Sequence, residues 1–189
     1  MSSSTLNVAL IQSPVFGGTD GKHFNDIQDV AGFPASLTIK TTNAISSIVV
    51  YHGGLVDGIQ VTYNETGGTA KGTKQHGSID NSLNKDTITF SQTQSIIAIS
   101  GRAGTTGYGN RVIQLSFTVY DSSNGKMQVY GPYGNSAVGP AFHVTANGAF
   151  VGFSGFAVDS DLSIGRSADQ GVPGGIYGLS FIDIAYRSA

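Results

Sequence analysis

The sequence predicts an all-β fold, and three observations support that prediction. Glycine accounts for 27 of the 189 residues, which is about twice its usual share. Strong helix formers are scarce, with Glu65 as the only glutamate, whereas Gly, Ser, Thr, Val and Ile are abundant. Short runs of β-type residues also alternate with clusters of Gly and Asn, which is the pattern of strands joined by tight turns.

Twelve β-type runs follow one another along the chain, spaced as in a sandwich, a barrel or a prism. Alternation is clearest in two of them, where Ile59 and Val61, and later Leu115 and Phe117, alternate with polar residues. Such strands bury one face and expose the other. The runs are Asn7–Gln12, Ala35–Thr41, Ile45–Tyr51, Gly58–Asn64, Ala70–Gln75, Asp86–Ser91, Ser95–Ser100, Val112–Tyr120, Met127–Tyr130, Ala141–Val144, Ala149–Phe153 and Ile176–Tyr186.

An internal repeat organises these runs into three hairpin-like blocks, whose returning strands align at Ile59, Leu115 and Leu179. Alternation is lost at Ile182 and Asp183 in the third copy, which predicts a bulge or altered pairing there. Three four-stranded units of roughly 60 residues around a pseudo-threefold axis fit the length. No linker is evident, so we expect one domain over residues 1–189. The blocks pair Ala44–Val50 with Val56–Tyr63, Gln94–Gly101 with Val112–Tyr120, and Gly148–Gly155 with Ile176–Tyr186.

Charge and residue usage exclude several classes of function. Ten basic and twelve acidic residues give a net charge of −2, which cannot neutralise many phosphates, so nucleic acid and membranes are not expected partners. The absence of cysteine excludes disulfides and zinc-thiolate sites. The four histidines lack metal-ligand spacing, so no metal site is expected. Neither a signal peptide nor a membrane-spanning run is apparent, which predicts a cytoplasmic protein.

Six motifs in a fixed order resemble those of the jacalin-related lectins. The first is similar to the family's entry G-G-x-G-G-x-x-F-D, with Asp20 and Asn25 as departures. The resemblance implies a β-prism of three four-stranded Greek-key sheets. It further implies reversible, non-catalytic binding of carbohydrate, typically mannose or galactose units of glycans or glycoproteins, without a cofactor. The motifs are Gly17–Asp26, Gly53–Tyr63, His76–Ser78, Tyr130–Asn135, Pro140–Phe142 and Phe150–Gly155.

The family's sugar site pairs a glycine-rich loop with a G-x-x-x-D loop. A carboxylate accepts two sugar hydroxyls in charge-assisted hydrogen bonds, and glycine lets the backbone approach the ring. The best match is the run Gly53, Gly54, Leu55, Val56 and Asp57 with Gly77 and Ser78 as the facing loop. We expect the Asp57 carboxylate to be little buried because it lies in a loop at a strand start. The alternative is an ordinary Asp-bearing turn.

A second candidate site begins at Gly17 and Gly18, but its partner loop has two alignments. An ungapped alignment places Leu162 at the Asp position, with Asp161 one residue early. Alignment through the internal repeat, which we prefer because it preserves the returning strand, places Tyr177 there and enlarges the loop Phe156–Gly175.

In the alignment through the repeat, Asp159 or Asp161 would bend back to supply the carboxylate of this site. The alternative is a solvated loop.

The third candidate pairs the loop Gly101–Gly109 with Tyr133, Gly134 and Asn135. Ile113 occupies the position that Asp57 occupies in the middle repeat, so this pair has no carboxylate. We therefore interpret it as a structural turn.

Mannose is favoured over galactose because galactose-binding members of the family use a new N-terminus beside the glycine loop, whereas here the chain is continuous before Gly18. Two sites on one domain, or their doubling in a homodimer, would raise avidity. The rival hypothesis is a glycan-free structural or oligomerisation module that kept the scaffold. A glycosidase is third, since no acid and base pair is evident.

Overall fold

A computed structural model describes residues 7–31, 42–65, 71–160 and 173–187. These ranges contain thirteen strands and one short helix, and the helix is neither long nor apolar enough to cross a membrane. The elements are β1 Asn7–Gln12, β2 Phe16–Gly17, β3 Lys22–Asn25, α1 Asp26–Ala31, β4 Ile45–His52, β5 Val56–Asn64, β6 Lys71–Gly77, β7 Asn84–Thr89, β8 Gln94–Thr106, β9 Gly109–Asp121, β10 Lys126–Tyr133, β11 Ala141–Thr145, β12 Ala149–Val158 and β13 Gly175–Arg187.

The strands form three antiparallel sheets, which confirms the predicted β-prism. Two sheets have the orders β6-β5-β4-β7 and β10-β9-β8-β11, in which the last strand returns beside the first as in a Greek key. The other has the order β1-β13-β12-β3, with the two-residue β2 also pairing with β13. In that sheet, strands from the N-terminal part of the chain flank the C-terminal hairpin.

The pseudo-threefold repeat is visible in matching details of the three central hairpins. Ile59, Leu115 and Leu179 are all fully buried, as their alignment predicts. Each hairpin also carries a one-residue bulge near the start of its first strand, at Ser46, Ile97 and Val151. The bulge at Val151 lies opposite residues 182–183, so the irregularity expected there is on the neighbouring strand.

Some elements differ from the sequence prediction. The strands β2 and β3 and the helix α1 were not predicted, because their polar, glycine-interrupted sequence has no clear period. Asn25 accepts a hydrogen bond from the amide of Gln28 at 3.2 Å, which supports the first turn of α1. The strand predicted to end at Phe153 continues to Val158, since its glycines and serine pair with β13. The predicted strand Ala35–Thr41 lies outside the described residues.

The core lies between the three sheets and is rich in aromatic side chains. Phe117, Phe153 and Phe181 come from three different strands and are at most 1% exposed. The rings of Phe153 and Phe181 meet edge to face, with centroids 5.9 Å apart. This rigid interior holds the strand ends, and therefore the loops between them, in fixed relative positions.

Candidate functional site

Three loop pairs related by the pseudo-threefold repeat lie at one end of the prism. In each pair a glycine with a φ between +82° and +105° packs against the carbonyl group of the residue at the repeat position of Asp57. A Cβ atom on any of these glycines would collide with that carbonyl oxygen, so the close approach requires glycine. The pairs are Gly17 with Tyr177, Gly77 with Asp57, and Gly134 with Ile113.

The second loop pair contains all seven residues of the best sequence match. The amide of Ser78 donates to the carbonyl oxygen of Asp57 at 2.9 Å, and the turn closes with a hydrogen bond of 3.0 Å from Gly53 to Leu55. Gly54 is exposed at the tip of the turn, whereas Val56 is buried in the core. The structure thus brings the predicted glycine loop and the predicted G-x-x-x-D turn together.

The Asp57 carboxylate itself is buried, so the expectation of an exposed carboxylate was wrong. Only 2% of Asp57 is exposed, because the turn from Gly53 to Leu55 folds over it. One carboxylate oxygen, Oδ1, accepts no hydrogen bond from any described residue. Burial raises the pKa of Asp57 to about 6, although Arg111 and the Gly53 amide act in the opposite direction.

Arg111 lies beneath the loops and connects the second pair to the first. Its Nε donates to the carbonyl oxygen of Ile176 at 3.0 Å, and Nη2 donates to that of Gly174 at 3.2 Å. The guanidinium also stacks on the ring of Tyr177, 4.2 Å from the centroid. Burial lowers the pKa of Arg111 despite opposing contributions from Tyr177 and Asp57. Nη1 has no partner among the described residues.

The first loop pair is built around Gly17, Gly18 and Tyr177. Gly18 donates its amide to the carbonyl oxygen of Tyr177 at 2.8 Å, just as Ser78 does to Asp57 in the second pair. The side chain of Asn110 donates to the carbonyl oxygen of Gly17 at 3.2 Å. Tyr177 is buried, and its hydroxyl donates to Pro173 at 2.9 Å. This geometry agrees with the alignment through the internal repeat.

The structure does not bring Asp159 to the first pair as expected. Its Oδ1 instead accepts the amide of Gly77 at 2.8 Å, which places the carboxylate beside the second pair. This happens because β12 ends next to β6, and Ser160 bridges to Ser78. The other candidate, Asp161, lies outside the described residues. The acidic side chain that accompanies the first pair is Asp20, which is exposed and close to Gly109.

The third loop pair has no carboxylate, because isoleucine occupies the position that Asp57 occupies in the second pair. This residue, Ile113, is fully buried. The loop of the third pair instead supports the second pair. The amides of Asn135 and Ser136 donate to the carbonyl oxygens of Gly53 and Gly54 at 3.3 and 3.1 Å. This agrees with the interpretation of the third pair as structural.

Sequence reasoning missed Asp20, Asn110 and Arg111 as members of this end of the prism. No local signal marked Arg111, because charged residues commonly flank hydrophobic strands. Asn110 gave no signal either, since polar residues are common in glycine-rich loops. Asp20 stood out only as a departure from a glycine of the family's entry motif. Within the described ranges, no three His, Asp or Glu side chains are grouped so that they could hold a metal ion.

A family comparison agrees with this architecture. The model of the jacalin-like lectin domain matches residues 13–165. This range includes the first two central hairpins and the first strand of the third, and it ends before β13. The chain belongs to the jacalin-like lectin family. Members of this family bind carbohydrates and are not enzymes. The lectin domain described here therefore has a non-catalytic scaffold.

Solved structures of lectins share this fold at low sequence identity. A mannose-binding jacalin-related lectin from Ananas comosus is 25% identical, with a TM-score of 0.63 and coverage of 95% of this chain and 99% of that one. A mannose-specific lectin from Morus nigra, solved with mannose, is 19% identical, with a TM-score of 0.63 and coverage of 100% and 99%. Malaysian banana lectin is 16% identical, with a TM-score of 0.66 and coverage of 96% and 100%. No curated protein matches the chain.

Proposed function

We propose that this lectin domain binds mannose-type glycans reversibly at the loop end of the prism. One observation carries the proposal: Gly77 and Ser78 face the turn Gly53–Asp57 in direct backbone contact. A glycine loop facing a G-x-x-x-D turn is the arrangement that the sequence resemblance associates with sugar binding. The mannose-binding neighbours support the same ligand class.

In the second pair, Asp57 is the proposed acceptor of sugar hydroxyls. Its Oδ1 has no donor among the described residues, and its ionised form is destabilised by burial. A hydroxyl that reached this oxygen would form a charge-assisted hydrogen bond and relieve part of that destabilisation. Because the carboxylate is buried, the turn at Gly53 and Gly54 must shift for the hydroxyl to reach it, and the absence of side chains there permits such a shift. The amides of residues 55–57 are the proposed donors.

The first pair is the proposed second sugar site, with Gly17 and Gly18 as its close-approach backbone. Because Tyr177 is buried and Asp159 binds Gly77, neither supplies a free carboxylate. Asp20 is exposed next to this loop and is the carboxylate we propose for this site. The side chain of Asn110, which already bonds to Gly17, would orient the loop.

Free mannose should bind weakly, with a dissociation constant near millimolar. A few hydrogen bonds with a net contribution of about 1 kcal/mol each must offset the cost of immobilising the ligand. Two sites on one domain, or their doubling in a homodimer, would make the second contact intramolecular and raise avidity by roughly 10² or more. Branched mannosides should therefore bind better per sugar than the monosaccharide.

Calorimetric titration with methyl α-mannoside tests the proposal through the number of sites. Asp57→Ala should remove one site, and Asp20→Ala should remove another. Asp121→Ala is the matched control, because this aspartate ends the strand β9 at the opposite end from Gly109. If Asp57→Ala keeps every site at unchanged affinity, the residue only forms the turn and the proposal for the second pair is wrong.

The rival hypothesis, a structural module without glycan ligands, makes a different prediction. The burial of the Asp57 carboxylate favours this hypothesis, since a buried turn residue needs no ligand. A glycan array separates the two ideas. Selective binding of mannose-containing glycans supports the lectin function, whereas an array without any bound glycan supports the structural module. Selective binding of galactosides would show that the ligand is a galactose-type sugar rather than mannose.

A further inference from the structure

A polar groove of about 330 Å³ lies between the sheet β1-β13-β12-β3 and the sheet β6-β5-β4-β7, beside the second loop pair. It runs between β3 and β6, which are the edge strands of their sheets. One end of the groove is formed by Asp159, whose carboxylate accepts the amide of Gly77. The groove therefore begins where the proposed sugar loop Gly77–Ser78 begins. Its volume is at the lower end of the range of about 300–1,000 Å³ for small-molecule sites.

Residues of the edge strands β3 and β6 line the two sides of the groove. On β3, Lys22 shares a face with Phe24, and on β6, Lys74 shares a face with His76. The rings of Phe24 and His76 stack with centroids 3.6 Å apart, and both residues are 7% exposed. The stacked rings and both lysines line the groove, and so do His23 and Gln75, which lie between them on the same strands.

His76 is held in place by a buried hydrogen-bond network with Asp26 and Tyr63. Its Nε2 lies 2.6 Å from Oδ1 of Asp26, and the other carboxylate oxygen of Asp26 accepts the hydroxyl of Tyr63 at 2.5 Å. Asp26 and Tyr63 are fully buried. The second ring nitrogen, Nδ1, has no hydrogen-bond partner among the described residues, although the ring lines the groove. A polar atom on a rigid, nine-tenths buried side chain is thus free to meet a ligand.

The remaining lining selects an uncharged polyhydroxyl ligand over an ion. Lys22 and Lys74 are balanced by Asp29 and Asp159, so neither sign of charge is favoured. The side chain of Gln28 adds both a donor and an acceptor. Hydroxyl groups donate and accept at once, and a sugar ring presents several of them around a compact body. A lining with both donors and acceptors and no net charge therefore fits a sugar ring better than it fits a carboxylate, sulfate or ammonium ion.

We infer that this groove is a subsite for a further neutral sugar unit of a glycan bound at the second loop pair. The inference rests on the proposed function and adds an extension to it, from the loop end along the side of the prism. It predicts that an oligomannoside gains affinity over the monosaccharide within one binding site, in addition to any effect of multivalency. His76, Lys74 and Gln28 are the groups expected to contact the added unit.

The experiment compares the affinities of methyl α-mannoside and a linear mannotriose by calorimetry. The groove variant is Lys74→Ala with Gln28→Ala, which removes two side chains without touching His76 or the loop. The matched control is Lys126→Ala with Gln128→Ala, the same residue types on the exposed strand β10 of another sheet. The groove variant should bind the monosaccharide as the wild type does and lose about tenfold in mannotriose affinity. The control should lose nothing.

Three results would overturn the inference, and they are distinguishable. If the groove variant keeps the full gain from mannose to mannotriose, the groove is not a subsite. If the wild-type protein gains more from a sulfated or carboxylated oligosaccharide than from mannotriose, and the variant abolishes that gain, the groove binds an anionic unit instead. If the wild type binds neither mannoside, the proposed function fails first and the groove inference fails with it.

Discussion

Replacing Asp57 with asparagine should stabilise the fold at neutral pH and remove binding at the second loop pair. The carboxylate is buried, and its pKa in the folded protein is raised from 3.8 to about 6, mainly by burial. At pH 7 the folded protein therefore holds an ionised group that would be more stable in the unfolded chain. Asparagine has nearly the same shape as the protonated carboxyl group and carries no charge.

The magnitude follows from the two pKa values. Because one pH unit corresponds to about 1.4 kcal/mol, the difference between 3.8 and about 6 corresponds to about 3 kcal/mol at pH 7. For an acid with a raised pKa, the folded state binds the proton more tightly. The associated stability is fully present below pH 3.8 and is lost as the pH rises through about 6. The contribution of Arg111 is already contained in the folded-state pKa.

Urea unfolding of the wild type and of Asp57→Asn, measured from pH 3.5 to pH 8, tests this reasoning. The difference in the free energy of unfolding should be near zero at the acid end and approach 3 kcal/mol in favour of the variant above pH 7. For a chain of this size, the melting temperature should rise by about 6–12 °C at neutral pH. A variant that is less stable than the wild type at pH 7, or a difference that does not vary with pH, would refute the account of Asp57.

Two further substitutions test the packing that supports the loop end and the groove. Tyr63→Phe removes the hydroxyl that donates to the buried carboxylate of Asp26, so we expect urea unfolding to show a loss of about 1–3 kcal/mol; an unchanged stability would mean that Asp26 finds another donor. A residue other than glycine costs about 1–2 kcal/mol in a left-handed backbone conformation. Gly77→Ala should destabilise the fold by more than that, because the added Cβ would also collide with the carbonyl group of Asp57. Its control is Gly125→Ala, which also has a positive φ but meets no atom within 4 Å; equal losses in the two variants would remove the collision from the explanation.

Most of the fold was predictable because the repeat appears three times in the sequence. The alignment of Ile59, Leu115 and Leu179 identified the central hairpins, whose strands have strong β propensity and, in the first two copies, alternate clearly. The strands β2 and β3 were not predictable by the same reasoning. They pair with the distant C-terminal hairpin, and that pairing depends on tertiary contacts rather than on local pattern.

The candidate site was predicted less completely. The repeat placed Tyr177 and Ile113 at the position of Asp57, which the backbone contacts of the three glycines bear out. Burial of Asp57 was not predictable, because it depends on the turn that folds over the carboxylate and on Arg111 beneath it. The contact between Asp159 and Gly77 was also missed, since it joins two sheets whose relative position the sequence does not specify.

The most direct test of the central claim is an NMR titration of the ¹⁵N-labelled protein with methyl α-mannoside. Amide signals should shift at Gly17–Gly18, Gly53–Asp57 and Gly77–Ser78, at the loop end of the prism. Signals of residues 121–126, at the opposite end, should stay in place. If a large excess of the mannoside shifts no amides, or shifts only those at the opposite end, mannose binding at the loop end is contradicted.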